Sequence, residues 1–173
     1  MLIVPQNFTC GIISETPLGP LTLIFSSIGL TRIQFGTISD YEPAGIPFEV
    51  ATQELDAYFS GKLTRFSVKL DPHGTTFQKR VWSLLETIPY GETRSYGQLA
   101  RLLGDVNLSR AVGRANGSNP IPIIYPCHRV IGANGQLTGY GGGIHRKETL
   151  LQLEARSTSP DLFSQFGDTQ SPS

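Results

Sequence analysis

The sequence predicts an α+β protein with two domains, a small N-terminal α/β domain and a C-terminal helical domain. Apolar and polar residues alternate between turn signals near the start of the chain, and helical periodicity dominates after the middle. The turn-forming stretch DPHGTT separates these two patterns. We therefore expect domains at residues 1–72 and 77–156, followed by a flexible tail, rich in Ser and Pro, at residues 157–173.

The N-terminal domain is expected to contain a small antiparallel sheet over residues 10–35. The segments PLGP and SSIG supply turn residues, and β-branched and aromatic residues flank them. A helix follows and ends near Gly61. Its apolar residues, near helical spacing, are Val50, Leu55, Tyr58 and Phe59. The stretch RFSVKL is expected to add one more strand.

Capping boxes mark the starts of two helices in the second domain. In this motif a Ser or Thr and a Gln three residues later each accept a hydrogen bond from the other's backbone amide. The segment TTFQKRVWSLLETI has Thr75 and Gln78 at these positions, and SYGQLARLLG has Ser95 and Gln98. The second of these helices is expected to end at Gly104.

The segments SYGQLARLLG and SRAVGRANG form two short helices joined by the link DVNL. A tight helix pair whose second member carries Arg110 and Arg114 has the form of a DNA-binding helix-turn-helix. A plain helical hairpin inside a core remains the alternative, because short helix pairs are common.

The second helix of this pair is rich in small residues, at Ala111, Gly113, Ala115 and Gly117. A helix that reads base edges in the major groove usually offers several polar side chains in succession. Small residues instead let the backbone approach the narrower minor groove. Arg110 could then enter the base stack as a wedge, and a solvated surface arginine is the alternative.

Charge divides in the same place as the hydrophobic pattern. Residues 1–76 carry a net charge of −3, residues 77–156 carry +5, and residues 157–173 carry −2, for a total of zero. The basic half points to a polyanion as its partner, although ordinary scatter of charges is the alternative.

Composition excludes two classes of protein. Two cysteines are too few for a disulfide scaffold, and the first residues lack the basic start of a secretion signal. No apolar run approaches the roughly 18 residues that a membrane span needs. We therefore expect a soluble, cytoplasmic protein with reduced thiols and no membrane partner.

The stretch NPIPIIYPCHRV carries the candidate nucleophile, Cys127. Its three prolines stiffen the chain and deliver Cys127 to a defined position. A thiolate is the reactive form, and a nearby base or cation such as His128 or Arg129 favours it. Adjacent side chains of an extended chain point to opposite faces, which favours a contact between Cys127 and His128 through a water.

A carboxylate in the last predicted helix, RKETLLQLEAR, completes the candidate site. Glu154 lies four residues after Leu150 and three residues after Leu151, so it shares their apolar face. A buried carboxylate needs a partner, and His128 is a natural one. The residues therefore suggest a relay from Glu154 through His128 and a water to Cys127, with a solvated glutamate on a frayed helix end as the alternative.

The sequence does not favour a metal centre or a cofactor. Neither C-x-x-C nor H-x-x-x-H occurs among its two cysteines and three histidines. We expect no metal ligands and no cofactor.

The segment NPIPIIYPCHRVIG, preceded by SYGQLA and SRAVGRA and followed by GYGGGIHRKETLLQLE, resembles the O6-alkylguanine-DNA alkyltransferases, also called methylated-DNA–protein-cysteine methyltransferases. The resemblance covers residues 77–154. It implies an N-terminal domain of ribonuclease-H-like form, matched only in kind, and a winged-helix-like C-terminal domain. The implied function is DNA repair by one irreversible transfer of an alkyl group from O6-alkylguanine, or from O4-alkylthymine, in double-stranded DNA to a monomeric protein. The nucleotide would be flipped through the minor groove.

The resemblance implies a role for each residue of the reaction. Cys127 would accept the alkyl group and be consumed after one turnover. His128 and Glu154 would form the relay through water, and Asn119 would hold the active-site turn beside the thiol. Tyr96 would assist flipping and donate a proton to the guanine ring.

The resemblance also implies a substrate pocket and a DNA-binding surface. The expected pocket residues are Val130, Tyr140 and Gly141, with Arg129 bracing the loop. The expected DNA-binding residues are Arg110, which fills the gap left by the base, with Ser95, Ala111, Gly113, Arg114 and Gly117. The chain departs from the family at Tyr125, where a branched aliphatic residue is usual, and zinc ligands known in the first domain of some members have no convincing match.

Two other classes of protein stay open. A damage sensor related to the alkyltransferases would bind DNA without transfer, but such proteins lack the cysteine that is present here at Cys127. A cysteine hydrolase using Cys127, His128 and Glu154 would need an oxyanion hole and an acyl substrate. A hydrolase would also leave the basic helix pair unexplained.

Overall fold

The N-terminal half of the described chain is an antiparallel sheet with one helix packed against it. The computed structural model describes residues 8–38 and 45–158. Strands β1 (Thr9–Ile13), β2 (Leu21–Phe25) and β3 (Leu30–Phe35) follow one another in the sheet, with β2 in the centre and buried along its whole length. Helix α1 (Ile46–Phe59) buries its apolar face against this sheet, which confirms the predicted meander and helix.

The strand predicted for RFSVKL is wrong. This segment makes only an isolated bridge, between Leu70 and Leu30. The Glu54 carboxylate on α1 instead accepts hydrogen bonds from the amides of Ser67 and Val68, at 2.9 and 3.2 Å. Because a side chain takes these two backbone donors, they are not available to a neighbouring strand.

The C-terminal half of the described chain is helical. Its helices are α2 (Thr76–Leu85), α3 (Tyr96–Leu102), α4 (Ser109–Gly117) and α5 (Ile144–Thr158). Both predicted capping boxes are present, with both reciprocal hydrogen bonds formed at the start of α2 and of α3. A single turn of 3-10 helix, Val106–Leu108, joins α3 to α4, so the predicted helix-turn-helix is confirmed as a structural element. Apart from the last two residues of α5, the predicted tail lies outside the described residues.

Two short strands tie the helix pair to the segment that contains the cysteine. Strand β4 (Arg94–Ser95), directly before α3, pairs in parallel with β5 (Val130–Ile131), directly after the CHR triplet. The start of the helix-turn-helix is therefore fixed to the end of the candidate active-site segment.

Trp82 connects α2, α4 and the cysteine-bearing segment inside the core. It is 1% exposed, and its indole N–H donates to the Ala115 carbonyl of α4 at 2.8 Å. Its ring stacks on Tyr125 with 6.3 Å between centroids. The aromatic ring that departs from the family pattern thus lies in the core, and burial raises the pKa of its hydroxyl to about 12.

The two halves also meet directly. The Ile33 amide of β3 donates to the Pro120 carbonyl at 2.9 Å. Arg146 of α5 donates to the carbonyls of Leu18 and Gly142, both at 2.8 Å, and lies over the Phe35 ring at 4.9 Å. The first domain therefore packs against the loops on which the candidate site is built.

Among the described residues, no helix is both long enough and apolar enough to span a membrane.

Candidate active site

The segment before Cys127 is held in an unusual backbone conformation by Asn119. The Asn119 carboxamide accepts from the Ile121 amide at 3.0 Å and donates to the Tyr125 carbonyl at 2.8 Å. Between these anchors, Ile123 has a φ of +77°, the one positive φ outside glycine in the described part of the chain. Such a conformation costs a β-branched residue roughly 1–3 kcal/mol, so it persists only where neighbouring bonds enforce it.

Cys127 begins a turn of 3-10 helix, Cys127–Arg129, and is 4% exposed. Burial raises the pKa of its thiol to about 11, against the smaller lowering effects of the Asn119 side chain and the Lys147 ammonium. The resting group is therefore a neutral thiol that needs a base before it can react.

The expectation that Cys127 and His128 sit on an extended chain is wrong, because both belong to this 3-10 turn. Within the described residues, no hydrogen bond joins the thiol to the imidazole. The geometric argument that separated the two side chains on an extended chain does not apply to a helical turn.

His128 is completely buried and bound on one side of its ring. Its Nε2 lies 2.8 Å from Glu154 Oε1, whereas its Nδ1 has no hydrogen-bond partner among the described residues. Burial lowers its pKa, which keeps the ring neutral. With the Nε2 proton assigned to the carboxylate bond, Nδ1 presents a lone pair and can act as a base.

The carboxylate of Glu154 is the centre of a hydrogen-bonded cluster. Its oxygens accept from Tyr58 Oη at 2.6 Å, from Arg129 Nε and Nη2 at 2.9 Å each, and from the Gly91 amide at 3.0 Å, in addition to His128. Burial alone would raise its pKa, but the bonds from His128 and Arg129 outweigh burial and hold the pKa well below its ordinary value. Glu154 is thus a buried anion, and the alternative of a solvated glutamate on a frayed helix end is wrong.

Arg129 belongs to this cluster and does not line the cavity that Cys127 lines. Its guanidinium pairs with Glu154, donates to the Ile88 carbonyl at 2.7 Å, and lies 5.6 Å from the Tyr90 ring centroid. Val130 is completely buried, and its carbonyl accepts from Lys147 Nζ at 2.5 Å.

A cavity of about 480 Å³ lies beside Cys127, which forms part of its wall. Tyr140 and Gly141 line it, as the sequence suggested, whereas Arg129 and Val130 do not. Its wall also includes residues of α4, of the active-site turn and of β3, among them Asn116, Asn119, Pro122, Arg32 and Phe35. Phe35 also packs against Tyr140, with 6.0 Å between the ring centroids, so the first domain forms part of this wall.

Tyr96, the first residue of α3, lies between α4 and the loop before α5. Its hydroxyl donates to the Thr138 carbonyl at 3.2 Å. Burial raises the pKa of this hydroxyl and the nearby Cys127 raises it further, while hydrogen bonds with Thr138 and the Asn116 side chain oppose the rise. Tyr96 is therefore close to the thiol and the cavity.

All the predicted DNA-binding residues except Ser95 lie on α4. Arg110, Arg114 and Gly117 of α4 are exposed, and Ala111 and Gly113 are half-buried. Neither arginine forms an ion pair with any residue that the structure describes. Ser95 differs, because its hydroxyl is occupied in capping α3.

Lys147 is a buried cation that sequence reasoning missed. Its ammonium donates to the carbonyls of Val130 and Thr138, and burial lowers its pKa. The signal was present, since Lys147 lies three residues before Leu150 on the apolar face used to find Glu154. Tyr58 and Gly91, which sequence reasoning also missed, are distant in sequence from Glu154. No group of three or more His, Cys, Asp or Glu side chains within the described ranges could hold a metal ion.

Both halves of the chain match models of a single protein family. The model described as 6-O-methylguanine DNA methyltransferase, DNA binding domain, matches residues 76–156, and the one described as 6-O-methylguanine DNA methyltransferase, ribonuclease-like domain, matches residues 10–72. The chain belongs to this family. The resemblance found in the sequence is confirmed, and it extends into the N-terminal domain, where only a likeness in kind was expected.

Relatives from bacteria and archaea agree with this assignment. A methylated-DNA–protein-cysteine methyltransferase of Mycobacterium tuberculosis is 53% identical over 155 residues, covering 86% of this chain and 93% of that protein. The protein of the same name from Methanosarcina acetivorans is 50% identical over 151 residues, covering 82% of this chain and 96% of that protein. The chain is a methyltransferase of this family.

Solved structures confirm the two-domain fold. The crystal structure of Mycobacterium tuberculosis O6-methylguanine methyltransferase matches with a TM-score of 0.80 and 50% identity, covering 92% of this chain and 99% of that one. The crystal structure of Mycobacterium tuberculosis OGT in complex with DNA matches with a TM-score of 0.77 and 51% identity, covering 87% and 93% of the two chains.

Proposed function

We propose that this methyltransferase repairs double-stranded DNA by moving the alkyl group of O6-alkylguanine to Cys127, once per molecule and as a monomer. The observation that carries the proposal is the position of Cys127. Its thiol lines a cavity of about 480 Å³, and the residue after it is held by a buried Glu154 anion. A nucleophile that has a base near it and borders a substrate-sized cavity is suited to group transfer.

The proposed step begins with proton removal. The thiol proton of Cys127 passes through a bridging water to Nδ1 of His128, and the Glu154 anion stabilises the imidazolium that forms. The resting thiol and imidazole are both neutral, so charge separates only as the reaction starts. The Lys147 ammonium, which acts to lower the thiol pKa, favours the thiolate.

The sulfur then attacks the alkyl carbon in line with the bond to O6. A sulfur–carbon bond forms, the carbon–oxygen bond breaks, and its electron pair moves into the guanine ring. Tyr96 supplies a proton to that ring, and the proton held by His128 restores Tyr96 through solvent. The products are a thioether at Cys127 and unmodified guanine. The same balance applies to O4-alkylthymine, our second candidate substrate.

The base must leave the helix before this step can occur, because the alkyl group lies inside the duplex. We propose that α4 enters the minor groove, where its small residues permit close approach. Arg110 then occupies the gap in the base stack, and Arg114 contacts a phosphate. The exposure of both arginines supports this arrangement.

Intact mass measurement after mixing with O6-benzylguanine tests the proposal. A single, permanent benzyl addition that peptide mapping places on Cys127, with none on Cys10, is the expected result. A damage sensor would show no change in mass, and a hydrolase would turn over acyl esters without a lasting adduct. Either of these results would contradict the proposal.

A further inference from the structure

Tyr58 brings the N-terminal half of the chain into the Glu154 cluster. It lies in the last turn of α1, is completely buried, and donates to Glu154 Oε1 at 2.6 Å, the shortest of the hydrogen bonds to that carboxylate. The other described donors to Glu154 are His128, Arg129 and the Gly91 amide, all from the C-terminal half. A residue of the first domain is therefore bonded directly to the anion that holds His128.

The hydroxyl of Tyr58 acts as a donor. Burial raises the pKa of this hydroxyl well above its ordinary value, and the nearby Glu154 anion raises it further. The phenol therefore keeps its proton at neutral pH. Its bond to the carboxylate is charge-assisted, which makes it stronger than a bond between two neutral groups.

Glu154 Oε1 receives hydrogen bonds from three side chains at once. Besides Tyr58 they are Arg129, whose Nη2 lies at 2.9 Å, and His128, whose Nε2 lies at 2.8 Å. The Tyr58 hydroxyl also lies 3.4 Å from His128 Nε2, so it borders the bond between His128 and Glu154. Three donors from three segments of the chain restrict the position of one oxygen more than two would. Without the Tyr58 hydroxyl, the carboxylate is free to turn toward Arg129, which alone offers it two N–H groups.

The position of this oxygen decides which nitrogen of His128 carries the proton. A carboxylate bonded at Nε2 keeps the proton there and leaves Nδ1 with a lone pair. Nδ1 has no partner among the described residues that would fix the tautomer from the other side of the ring. The bond to Glu154 therefore selects the tautomer that can accept a proton from Cys127. Whatever weakens this bond lowers the fraction of protein that holds this tautomer.

The ring of Tyr58 is fixed by aromatic neighbours. Its centroid lies 5.3 Å from that of Phe66, 5.6 Å from that of Phe59 and 5.8 Å from that of Tyr90. Phe59 and Phe66 belong to the first domain, whereas Tyr90 directly precedes Gly91, another donor in the cluster. A hydroxyl on a ring that packing locks in place holds its partner more precisely than a flexible side chain does.

We propose that Tyr58 is a positioning residue for alkyl transfer, through which the N-terminal domain holds Glu154 against His128. The inference rests on the function proposed above and extends its relay by one residue. Tyr58 does not line the cavity beside Cys127 and does not belong to α4. Removal of its hydroxyl should therefore leave DNA binding unchanged and slow the step in which the thiol loses its proton.

The test combines Tyr58→Phe with Glu154→Gln. Second-order transfer rates on a duplex containing O6-methylguanine are measured against pH for the wild-type protein, the two single variants and the double variant. We expect Tyr58→Phe to slow transfer at neutral pH by roughly 3- to 30-fold, the scale of one hydrogen bond. Part of this defect should disappear as the pH rises, because thiolate then forms without the relay. In the Glu154→Gln background the same substitution should change the rate by less than about 2-fold, because its effect passes through the carboxylate.

Thr52→Val is the matched control. It removes from the same helix another buried hydroxyl, one that has no partner among the described residues, and should keep the wild-type rate and pH profile. Circular dichroism checks folding of every variant. Tyr58→Met, which also lacks the hydroxyl and whose flexible side chain fills irregular gaps, carries the test if Tyr58→Phe does not fold.

A folded Tyr58 variant with the wild-type rate at neutral pH would overturn this inference. A loss of equal size in the Glu154→Gln background, or at every pH, would also overturn it, since the hydroxyl would then act by a route other than the relay. Wild-type protein that transfers no methyl group from the duplex would instead overturn the proposed function.

Discussion

Two buried polar regions flank the CHR turn, and they differ in how far the protein satisfies them. Around Glu154 the carboxylate itself is fully bonded, by His128, Arg129, Tyr58 and the Gly91 amide, and His128 Nδ1 is left without a partner among the described residues. In the wall of the cavity beside Cys127, the Tyr140 hydroxyl and Gln34 Oε1 are buried without a partner in the described part of the chain. The difference teaches that one region holds a fixed buried charge, while the other leaves open space beside Cys127.

Replacing the sulfur of Cys127 has the largest expected effect. Cys127→Ser should abolish transfer, because a hydroxyl is a far weaker nucleophile at neutral pH. DNA binding should remain, because the cysteine side chain takes no part in the α4 surface. Transfer is measured by loss of labelled methyl groups from duplex DNA, and binding by gel shift. Residual transfer at a wild-type rate would show that the acceptor lies elsewhere.

Arg110→Ala removes the proposed wedge and leaves both buried regions intact. Transfer from duplex DNA should slow by roughly 10- to 100-fold, since unstacking a base costs a few kcal/mol. Transfer from free O6-benzylguanine needs no flipping and should change much less. The two second-order rates are compared in the same preparation. Equal losses on both substrates would remove Arg110 from the flipping step.

The buried cluster around Glu154 should also make folding stability depend on pH. Burial lowers the pKa of His128, so below its unfolded value of about 6.5 the unfolded chain binds more protons. The free energy of unfolding should therefore fall with acidification by up to about 1.4 kcal/mol per pH unit. The lowered pKa of Glu154 adds a further loss below its unfolded value of about 4.3.

Urea denaturation between pH 7 and pH 4 measures this dependence, with His128→Gln as the matched control. The control should lose the part of the slope that begins near the unfolded histidine value of about 6.5. A wild-type stability that stays constant from neutral pH to pH 5 would show that His128 is not held neutral in the fold.

The sequence predicts this site where local spacing decides contact. Glu154 could be placed on the buried face of α5 from its spacing to Leu150 and Leu151, whereas the role of Asn119 was implied only by the family resemblance. Tyr58 and Gly91 could not be predicted, because their bonds to Glu154 depend on packing between segments distant in the chain. Packing also decides where a side chain points. Arg129 pairs with Glu154 and therefore does not line the cavity in which it was expected.

The fold shows the same limit. Capping boxes and apolar periodicity predict helices because their signals lie within a few residues. The segment RFSVKL has a strand-like pattern, yet a side chain of α1 takes its amides, which no local pattern could reveal. The cavity beside Cys127 is likewise visible only once segments distant in the chain have packed together.

The most direct test of the relay is the alkylation rate of Glu154→Gln as a function of pH. The substitution keeps the size of the side chain but removes the charge that favours imidazolium at His128. We expect transfer at neutral pH to slow by roughly 10- to 1000-fold, the range typical of acid–base assistance. Raising the pH should recover part of the loss, because thiolate then forms without the relay. A variant that is folded by circular dichroism and reacts at the wild-type rate at neutral pH would contradict the relay.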